Sequence, residues 1–270
     1  MVEQYIAPDA ERGPAARRER IRRRVLDQGY ASVDDLVREF GVSLMTMHRD
    51  LDALAADGWL TKIRGGATAN PSALVDAGVR ERSAAMRAEK QAIAARAAEL
   101  VNQGQTVFLD DSTTALELVP YLAAQPALTV ATNFIPAVSA LGDSHTIELH
   151  VLGGQYVPRH ESCQGLATVQ AIARLQADIF FMSTTAVTAG QCLHRSEATI
   201  MVREAFMRHS ARRVLLVDHA KFGRPAAHVL CSVSKFDTVI TDEGIDPRDL
   251  AELRELCADV QVASLARRVG

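Results

Sequence analysis

The segment Ser32–Ala67 constrains the fold more than any other part of this chain, because it combines two short amphipathic helices with one glycine between them. Ser32 can accept a hydrogen bond from the amide three residues later, where Asp35 stands in the position of a capping-box acid. Gly41 lies where the chain has to turn sharply, and Ser43 can cap a second helix. This order predicts a helix-turn-helix.

The second helix of the pair is predicted to have one buried face and one exposed face. Four apolar residues recur at spacings of three and four and are expected to point inward together. They are Leu44, Met47, Leu51 and Leu54. The opposite face carries Met45, Thr46, His48, Arg49 and Asp52. Short and basic side chains at an exposed helix N-terminus can reach the phosphates and base edges of a major groove.

A short hairpin, or wing, is predicted after the second helix. Trp59–Arg64 alternates as a strand does, and Gly65 and Gly66 permit a tight turn back. Lys62 and Arg64 of this wing can lie along a phosphate backbone or in a minor groove. The alternative, a helical hairpin with a solvated charged face, is disfavoured by the order of caps, helices, glycines and wing. The sequence therefore predicts binding to double-stranded operator DNA through Ser32, Ser43, Met45, Thr46, His48, Arg49, Lys62, Arg64, Gly65 and Gly66.

Positive charge is concentrated in front of this segment, although the whole chain has a formal net charge of only −3. Arginines dominate residues 12–28, where the only acids are Glu19 and Asp27. These arginines are Arg12, Arg17, Arg18, Arg20, Arg22, Arg23 and Arg24. On a helix beside the reading helix they would face DNA phosphates. An ordinary solvated helix face explains the same charges equally well.

A chain of 270 residues, 48% of them hydrophobic, is long and apolar enough for two domains. Residues 1–16 lack periodicity and are expected to be disordered, and 17–70 are predicted as a winged helix-turn-helix domain. Residues 71–89 are predicted as a linker and 90–263 as the second domain. No apolar run reaches membrane-spanning length and no signal peptide pattern occurs, so a cytoplasmic protein without membrane contact is expected.

Neither the cysteines nor the histidines have the spacing of a metal site. Cys163, Cys192, Cys231 and Cys257 lie far apart and are interpreted as reduced thiols. The eight histidines are scattered without a ligand pattern. No metal site is therefore predicted. No cofactor and no catalytic residue is predicted either.

In the second domain, short β-rich runs alternate with helical stretches after a helix predicted from about Met86 to Val101. Strands are predicted at 106–110, 128–132, 147–152, 179–182, 214–217 and 239–241, and helices are predicted to begin near Thr113, Phe134, Gly165, Ser196 and Pro247. This alternation is typical of a mostly parallel sheet covered on both faces. The predicted fold class is α/β, with an N-terminal winged helix-turn-helix domain followed by a Rossmann-like, mostly parallel α/β effector-binding domain.

Ligands of such sheets bind at the carboxyl ends of the strands, where this sequence places polar and hydroxyl-rich residues. Ser112, Thr113 and Thr114 follow the first strand at the predicted start of a helix. Free amides, hydroxyls and the helix dipole at that point can hold a phosphate. Ordinary N-capping is the alternative for these three residues taken alone. Polar residues that follow the other strands to the same rim favour a ligand site.

The head resembles the DeoR family of bacterial transcription regulators, whose signature is an S-x-x-T-hydrophobic-R-R-D-L run followed by a G-G-A wing. Here the matching residues are Ser43, Thr46, Met47, His48, Arg49, Asp50 and Leu51, followed by Gly65, Gly66 and Ala67. His48 stands in place of the usual arginine, and Arg64 stands where histidine is common. A neutral imidazole cannot replace a guanidinium fork on guanine, so His48 is expected to change the preferred operator sequence.

The resemblance continues through the second domain and covers about residues 17–263. Sensor domains of this family carry an aspartate followed by a G-T-T loop, then T-N, G-G and D-x-x-K-F motifs; they look like ribose-5-phosphate isomerases and typically sense sugar phosphates. The matching residues here are Asp110, Thr113, Thr114, Thr132, Asn133, Gly153, Gly154, Asp218, Lys221, Phe222, Thr241 and Asp242. Ser112 replaces the usual glycine, and Asp111 adds an acid that would repel an anion if it pointed inward.

A phosphorylated sugar or polyol is therefore the effector that the resemblance implies. Thr113–Thr114 would hold the phosphate and Lys221 would supply positive charge, although an exposed surface lysine is an equal alternative. Asp110, Asn133 and Glu197 would bind sugar hydroxyls, although Glu197 could equally be a first-turn helix acid. The implied effector-binding residues are Asp110, Ser112, Thr113, Thr114, Asn133, Gly154, Glu197 and Lys221. Two heads usually read one operator, so a homodimer or homotetramer is expected.

The predicted function is a DNA-binding transcriptional regulator, namely a repressor of a sugar or polyol catabolic operon. A phosphorylated sugar would release it from its operator or retune it there. The alternative is a sugar-phosphate isomerase-like enzyme with an appended DNA-binding head, for which Asp110, Asp111 and Glu197 are candidate bases. No nucleophile elbow, P-loop or dinucleotide fingerprint occurs in the sequence. A purely architectural DNA binder would have no need of the polar rim.

Overall fold

The computed structural model of this chain describes residues 13–28, 30–57, 59–63, 65–69 and 78–265. The chain forms two compact units that divide between Met86 and Arg87. The first unit holds α1 (Pro14–Gln28), β1 (Tyr30–Ser32), α2 (Val33–Phe40), α3 (Leu44–Ala56), β2 (Leu60–Ile63), β3 (Gly66–Ala69) and α4 (Val79–Ala84). Strand β3 lies between β1 and β2 and is antiparallel to both. The predicted winged helix-turn-helix is confirmed.

Local capping explains where the two central helices of the head begin and end. The Ser32 hydroxyl accepts a hydrogen bond from the Asp35 amide at 3.1 Å and caps α2. Gly41 takes the left-handed conformation (φ 62°) that ends α2, and its amide donates to the carbonyl of Val37. The Ser43 hydroxyl then accepts from the Thr46 amide at 3.2 Å and caps α3.

The core of the head is built from α1, α2, α3 and the three-stranded sheet. It contains Ile21, Val25, Ala31, Val33, Leu36, Met47, Leu51, Leu54, Leu60 and Ala67. The prediction that Leu44 shares this inward face is wrong, because its side chain is 52% exposed. Leu44 is the first residue of α3, and the packing of that helix on the core begins one turn later, at Met47.

The ends of the head differ from the predicted boundaries. Helix α1 begins at Pro14, so 14–16 are helical rather than disordered, and 1–12 lie outside the described residues. Helix α4 occupies part of the predicted linker 71–89 and packs on α1, with Arg22 and Glu81 paired at 3.2 Å. Residues 71–77 of that linker lie outside the described part of the chain.

The second unit is a three-layer α/β domain around one parallel sheet. In chain order it holds α5 (Arg87–Ala98), β4 (Thr106–Leu109), α6 (Thr113–Leu116), α7 (Val119–Ala123), β5 (Leu128–Thr132), α8 (Ile135–Leu141), β6 (Ile147–Val151), β7 (Gln155–Val157), β8 (Ser162–Gln164), α9 (Leu166–Ile172), β9 (Ala177–Met182), β10 (Ala186–Thr188), β11 (Gln191–His194), α10 (Glu197–Arg208), β12 (Ser210–Leu216), β13 (His228–Ser232), β14 (Thr238–Asp242), α11 (Pro247–Leu256) and β15 (Val260–Ala263). The sheet order is β15-β14-β12-β9-β4-β5-β6, and all its pairs are parallel.

Burial on both faces of this sheet confirms the Rossmann-like prediction. The consecutive residues Ile179–Met182 of β9 are all buried, and neighbouring side chains of a strand point to opposite faces. On one face, Phe206 of α10 packs against Phe108 and Phe180 at ring-centroid distances of 5.1 and 5.0 Å. Each of the six predicted strands lies in the sheet. The edge strand β15, the hairpin β7–β8 and the small antiparallel sheet β10-β11-β13 were not predicted.

Candidate functional site

The exposed start of α3 carries the predicted DNA-contacting side chains of the head. Met45 is 66% exposed, Arg49 is exposed, and Thr46 and His48 are partly exposed. Ser43 holds this end of the helix through its bond to the Thr46 amide. Ser32 stands at the N-terminus of α2, so it has the same capping role one helix earlier. Together with the apolar Met45, the polar and basic side chains form an exposed surface that a major groove can accept.

An ion pair joins the wing to α3, and the packing of the wing requires a glycine at one position. Lys62 of β2 donates to Asp52 of α3 at 2.5 Å. Gly65 turns the chain with a φ of 80°. Gly66 is buried, and a β-carbon there would lie 2.5 Å from the Tyr30 ring, so packing alone requires this glycine. Arg64, another predicted DNA contact, lies outside the described residues.

The arginines of α1 mainly hold the head together. Arg24 pairs with Glu39 at 2.8 Å, and Arg22 lies over the Trp59 ring at 4.0 Å from its centroid. Arg20 lies over Phe40 in the same way, at 5.0 Å. These contacts differ from both interpretations of the basic run, a phosphate-facing surface and a solvated one. Arg12 and the side chain of Arg23 lie outside the described residues.

Asp50 is a structural residue of the head that the sequence reading missed. Its carboxylate is buried and accepts from Arg17 at 2.6 Å, with Arg18 at 3.9 Å. The available signal was helical spacing, because Asp50 shares its face with Met47 and Leu54 of the core. A carboxylate on a buried face needs a cationic partner, and α1 supplies it.

The polar rim of the second unit lies where the order of the sheet reverses. Strand β4 has β5 on one side and β9 on the other, so the loops after β4 and β9 leave the carboxyl edge side by side. This reversal is the position at which open α/β sheets bind ligands. The loop after β4 begins with Asp110 and Asp111, and the loop after β9 begins with Ser183 and Thr184.

Arg203 of α10 holds both carboxylates of the first loop. One of its terminal nitrogens lies 3.0 Å from an oxygen of Asp110 and 3.0 Å from an oxygen of Asp111. Arg203 is only 3% exposed. Asp111 also accepts from the Ser162 hydroxyl at 3.0 Å. The expected repulsion between Asp111 and an anion is therefore offset by a guanidinium, which the sequence reading did not identify.

Asp110 organises the rim. One oxygen accepts from the Ser112 amide and the other from the Ser183 amide, each at 3.0 Å. Together with Arg203, these donors use three of the roughly four lone-pair positions of a carboxylate. Burial raises the pKa of Asp110, although the positive charge of Arg203 opposes that shift. Burial alone would lower the pKa of Arg203, but Asp110 and Asp111 raise it above its ordinary value.

The structure places a lysine beside the predicted phosphate loop, but the helix that follows the loop is too short for the strong dipole that the sequence suggested. Lys90 of α5 is 3% exposed, and its ammonium group donates to the Thr113 hydroxyl at 3.1 Å. The Ser112 hydroxyl caps α6 by accepting from the Ala115 amide. Helix α6 has only four residues, so few peptide dipoles add at this point. Lys90 is the residue that supplies positive charge beside Thr113.

Buried polar atoms without partners lie on the same loops. Within the described part of the chain, the hydroxyls of Thr114 and Ser183 and the side-chain oxygen of Asn133 are buried and have no hydrogen-bond partner. The amide nitrogen of Asn133 donates to the carbonyl of Cys163 at 2.8 Å, which fixes the direction of its free oxygen. Unpaired buried polar groups are costly, so such a set is typical of a site that a ligand completes.

The other predicted effector residues have different surroundings. Gly154 packs so closely that a β-carbon would overlap the Thr168 hydroxyl, which gives this glycine a structural reason. Glu197 is exposed in the first turn of α10. Lys221 reaches the rim, where its ammonium group donates to the carbonyl of Thr184 at 2.9 Å and lies 4.0 Å from Asp218.

His194 is a buried base next to this site. Its Nδ1 lies 3.1 Å from the Ser196 amide, which can donate to it only while Nδ1 is unprotonated. Burial, and then the charge of Arg203, lower the pKa of His194 to about 3. The unfolded chain takes up this proton near pH 6.5. The contribution of the neutral His194 to the free energy of unfolding is therefore fully present above about pH 6.5 and is lost as the pH falls toward 3.

We expect the second domain to lose about 2 kcal/mol of unfolding free energy through His194 between pH 7 and pH 5. Urea unfolding of His194→Asn at both pH values measures this contribution, because an asparagine oxygen can accept from Ser196 but does not titrate. His145→Asn is the control, since His145 is exposed. Equal acid sensitivity in the wild type and His194→Asn would remove His194 as the cause.

Two general features concern metals and membranes. Across the described ranges, no group of three or more His, Cys, Asp or Glu is placed to hold a metal ion. No helix within those ranges has the length and apolar character needed to cross a membrane.

Two family models match this chain. The DeoR-like helix-turn-helix domain matches residues 17–73, and the DeoR C terminal sensor domain matches residues 85–243. Both units of the structure therefore have a counterpart in one family.

Curated relatives extend over most of the chain. The glycerol-3-phosphate regulon repressor of Escherichia coli (strain K12) is 32% identical over 219 residues, covering 81% of this chain and 86% of that protein. The lactose phosphotransferase system repressor of Lactococcus lactis subsp. lactis is 32% identical over 234 residues, covering 84% and 90%. An HTH-type transcriptional regulator of Haemophilus influenzae is 30% identical over 244 residues, covering 90% and 95%. Among solved structures, ribose 5-phosphate isomerase A from Methanocaldococcus jannaschii has a TM-score of 0.38 at 16% identity and covers 51% of this chain and 55% of its own.

Proposed function

This chain belongs to the DeoR family of transcriptional regulators, and we propose that its second domain binds a phosphorylated sugar or polyol. Binding of this effector would control operator binding by the head. It is a DNA-binding regulator and not an enzyme. The isomerase alternative also needs a carboxylate base held in the site. Asp110 and Asp111 are both paired with Arg203, and Glu197, the third candidate, is exposed in the first turn of α10.

The observation that most supports an effector site is that Lys90 and several buried oxygens without hydrogen-bond partners lie around the loop after β4. The phosphate would lie against the Lys90 ammonium group and the Thr113 hydroxyl, where a charge-assisted hydrogen bond is available. Sugar hydroxyls would pair with Thr114, Asn133 and Ser183, whose free oxygens are buried on the same rim. Asp110 would contribute mainly by fixing the loops, because most of its acceptor capacity is in use.

The proposed mode of action is repression that the effector releases. The relatives named as repressors support the repression part of this proposal. The effector must bind more tightly to the arrangement that does not fit the operator, since equal affinity would shift nothing. We propose a homodimer or homotetramer in the cytoplasm, because two heads related by symmetry fit two half-sites of an operator.

A thermal-shift screen tests the effector proposal. The purified full chain is heated with a panel of sugar and polyol phosphates and with the same compounds lacking phosphate. A ligand at a hundred times its Kd should stabilise the second domain by about 2.7 kcal/mol. We expect larger shifts with the phosphorylated compounds than with their unphosphorylated counterparts. Shifts that are equal with and without phosphate would overturn the assignment of the phosphate loop.

Arg49→Ala is expected to weaken operator binding by about 1–3 kcal/mol if Arg49 reads a base. The operator is first selected from random double-stranded DNA with the wild-type protein, and affinities are then compared by fluorescence anisotropy at several salt concentrations. Arg254→Ala is the matched control, because Arg254 is an exposed arginine of α11. An unchanged operator affinity in Arg49→Ala would exclude Arg49 from the DNA contact.

A further inference from the structure

The small antiparallel sheet β10-β11-β13 brings together two cysteines that are far apart in the sequence. Cys192 of β11 stands directly opposite Cys231 of β13. Directly opposed residues of antiparallel strands have α-carbons about 4.5–5.5 Å apart, which lies within the range of about 4.4–6.8 Å found for disulfides. The pairing therefore meets the α-carbon requirement of a disulfide at Cys192 and Cys231, and the register of the two strands shifts only after Cys192.

The two side chains lie on the same face of the paired strands but differ in accessibility. Cys192 is fully buried in the core of the second unit, whereas Cys231 lies at the edge of that core and is partly exposed. A hydrogen bond from the Cys192 thiol lowers the pKa of Cys231, and the same bond together with burial raises the pKa of Cys192. Cys231 is thus both the reachable sulfur and the better thiolate, which is the form that attacks a disulfide.

We propose that Cys192 and Cys231 are a redox-modifiable dithiol site, which a low-molecular-weight disulfide such as glutathione disulfide converts to an intramolecular disulfide. The Cys231 thiolate attacks one sulfur of glutathione disulfide, forms a mixed disulfide and releases one glutathione thiolate. Cys192 then gives its proton to the glutathione thiolate released in the first step, and its sulfur attacks the Cys231 sulfur and releases the second glutathione as a thiolate. The protein loses two electrons and two protons, and the small disulfide is reduced to two thiols.

The other two cysteines lack such a partner. The Cys257 thiol donates to the carbonyls of Phe236 and Asp259 at 3.4 and 3.6 Å. Cys163 is buried in β8 opposite Tyr156. They are therefore built-in controls for the reactivity of Cys192 and Cys231.

The dithiol lies beside Arg203, the residue that pairs with Asp110 and Asp111. The charge of Arg203 acts on both Cys192 and Cys231. Strand β11 ends at His194, two residues before Ser196, which caps α10, the helix that carries Arg203. A disulfide would join this strand covalently to β13 and so restrain the entry to α10.

The test uses the full reduced chain in glutathione buffers of increasing disulfide content. Free thiols are then alkylated in denaturant, so that buried thiols also react, and are located by peptide mass spectrometry. In the wild type we expect Cys192 and Cys231 to lose alkylation together and to appear as one cross-linked peptide pair. Cys163→Ser and Cys257→Ser should behave as the wild type does. Cys192→Ser should stop at a mixed disulfide on Cys231, and Cys231→Ser should leave Cys192 alkylated as a free thiol.

Three results would overturn the proposal. The first is a wild-type protein in which all four thiols stay reduced in every buffer, and the second is a cross-link that joins two chains or involves Cys163 or Cys257. The third is a Cys192→Ser protein that takes up no glutathione. The wild-type peptide map does not depend on whether any variant folds.

Discussion

Replacing Arg203 with methionine should destabilise the second domain by about 3–5 kcal/mol. The side chain is buried and is shared by the carboxylates of Asp110 and Asp111, each 3.0 Å away. Methionine fills a similar volume but removes the guanidinium that the two adjacent buried carboxylates share. At neutral pH their repulsion and desolvation would oppose folding, so the measurement is urea unfolding of the full chain at pH 7, followed on the transition of the second domain.

The matched control is Arg213→Met. Arg213 pairs with Asp237 at 3.1 Å, but both side chains are about a third or more exposed, so the loss should be below about 1 kcal/mol. Combining Arg203→Met with Asp111→Asn should recover part of the loss, because one of the two adjacent buried negative charges is removed. A loss in Arg203→Met as small as that in Arg213→Met would show that the buried cluster does not depend on Arg203.

Replacing Lys90 with methionine should weaken binding of a phosphorylated effector by about a hundredfold, since a hydrogen bond to a charged group is worth up to about 3 kcal/mol. The prediction rests on the buried ammonium group 3.1 Å from the Thr113 hydroxyl. Binding is measured by calorimetry with the compound that gives the largest thermal shift. The unphosphorylated compound is titrated in parallel, and its weaker binding should be unaffected.

Lys235→Met is the control for loss of one positive charge, because Lys235 is exposed elsewhere on the second unit. Thr113→Val removes the hydroxyl that Lys90 contacts and should also abolish the effector response while leaving operator binding intact. If Lys90→Met binds the phosphorylated compound as the wild type does, the phosphate lies elsewhere and the proposed site is wrong.

Much of the head could be predicted because its signals are local. Capping by Ser32 and Ser43 and the left-handed turn at Gly41 each depend on neighbours within four residues. The roles of α1 and Leu44 were less predictable. Whether an arginine faces phosphate, solvent or Trp59 depends on how α1 packs, and a helical period does not say at which turn burial begins.

Only part of the candidate effector site could be predicted from the sequence. Its hydroxyl and amide groups follow strands, and the rule for parallel sheets places them at one edge. Lys90 and Arg203 lie inside helices before and after the strands that form the rim, and nothing in their immediate sequence distinguishes them from surface cations. Their burial beside Thr113, Asp110 and Asp111 exists only because α5 and α10 pack against the sheet.

Local patterns were thus enough to determine the winged head, the strand–helix alternation and the polar rim, because caps, turns and periodicity act within a few residues. The tertiary structure alone decided which charges meet. It paired Asp111 with Arg203 instead of leaving the acid to repel an anion. It also set Cys192 opposite Cys231, although their spacing along the chain did not indicate a pair. Such contacts depend on strand register and helix packing between distant segments, and the free energy that fixes them belongs to the whole domain.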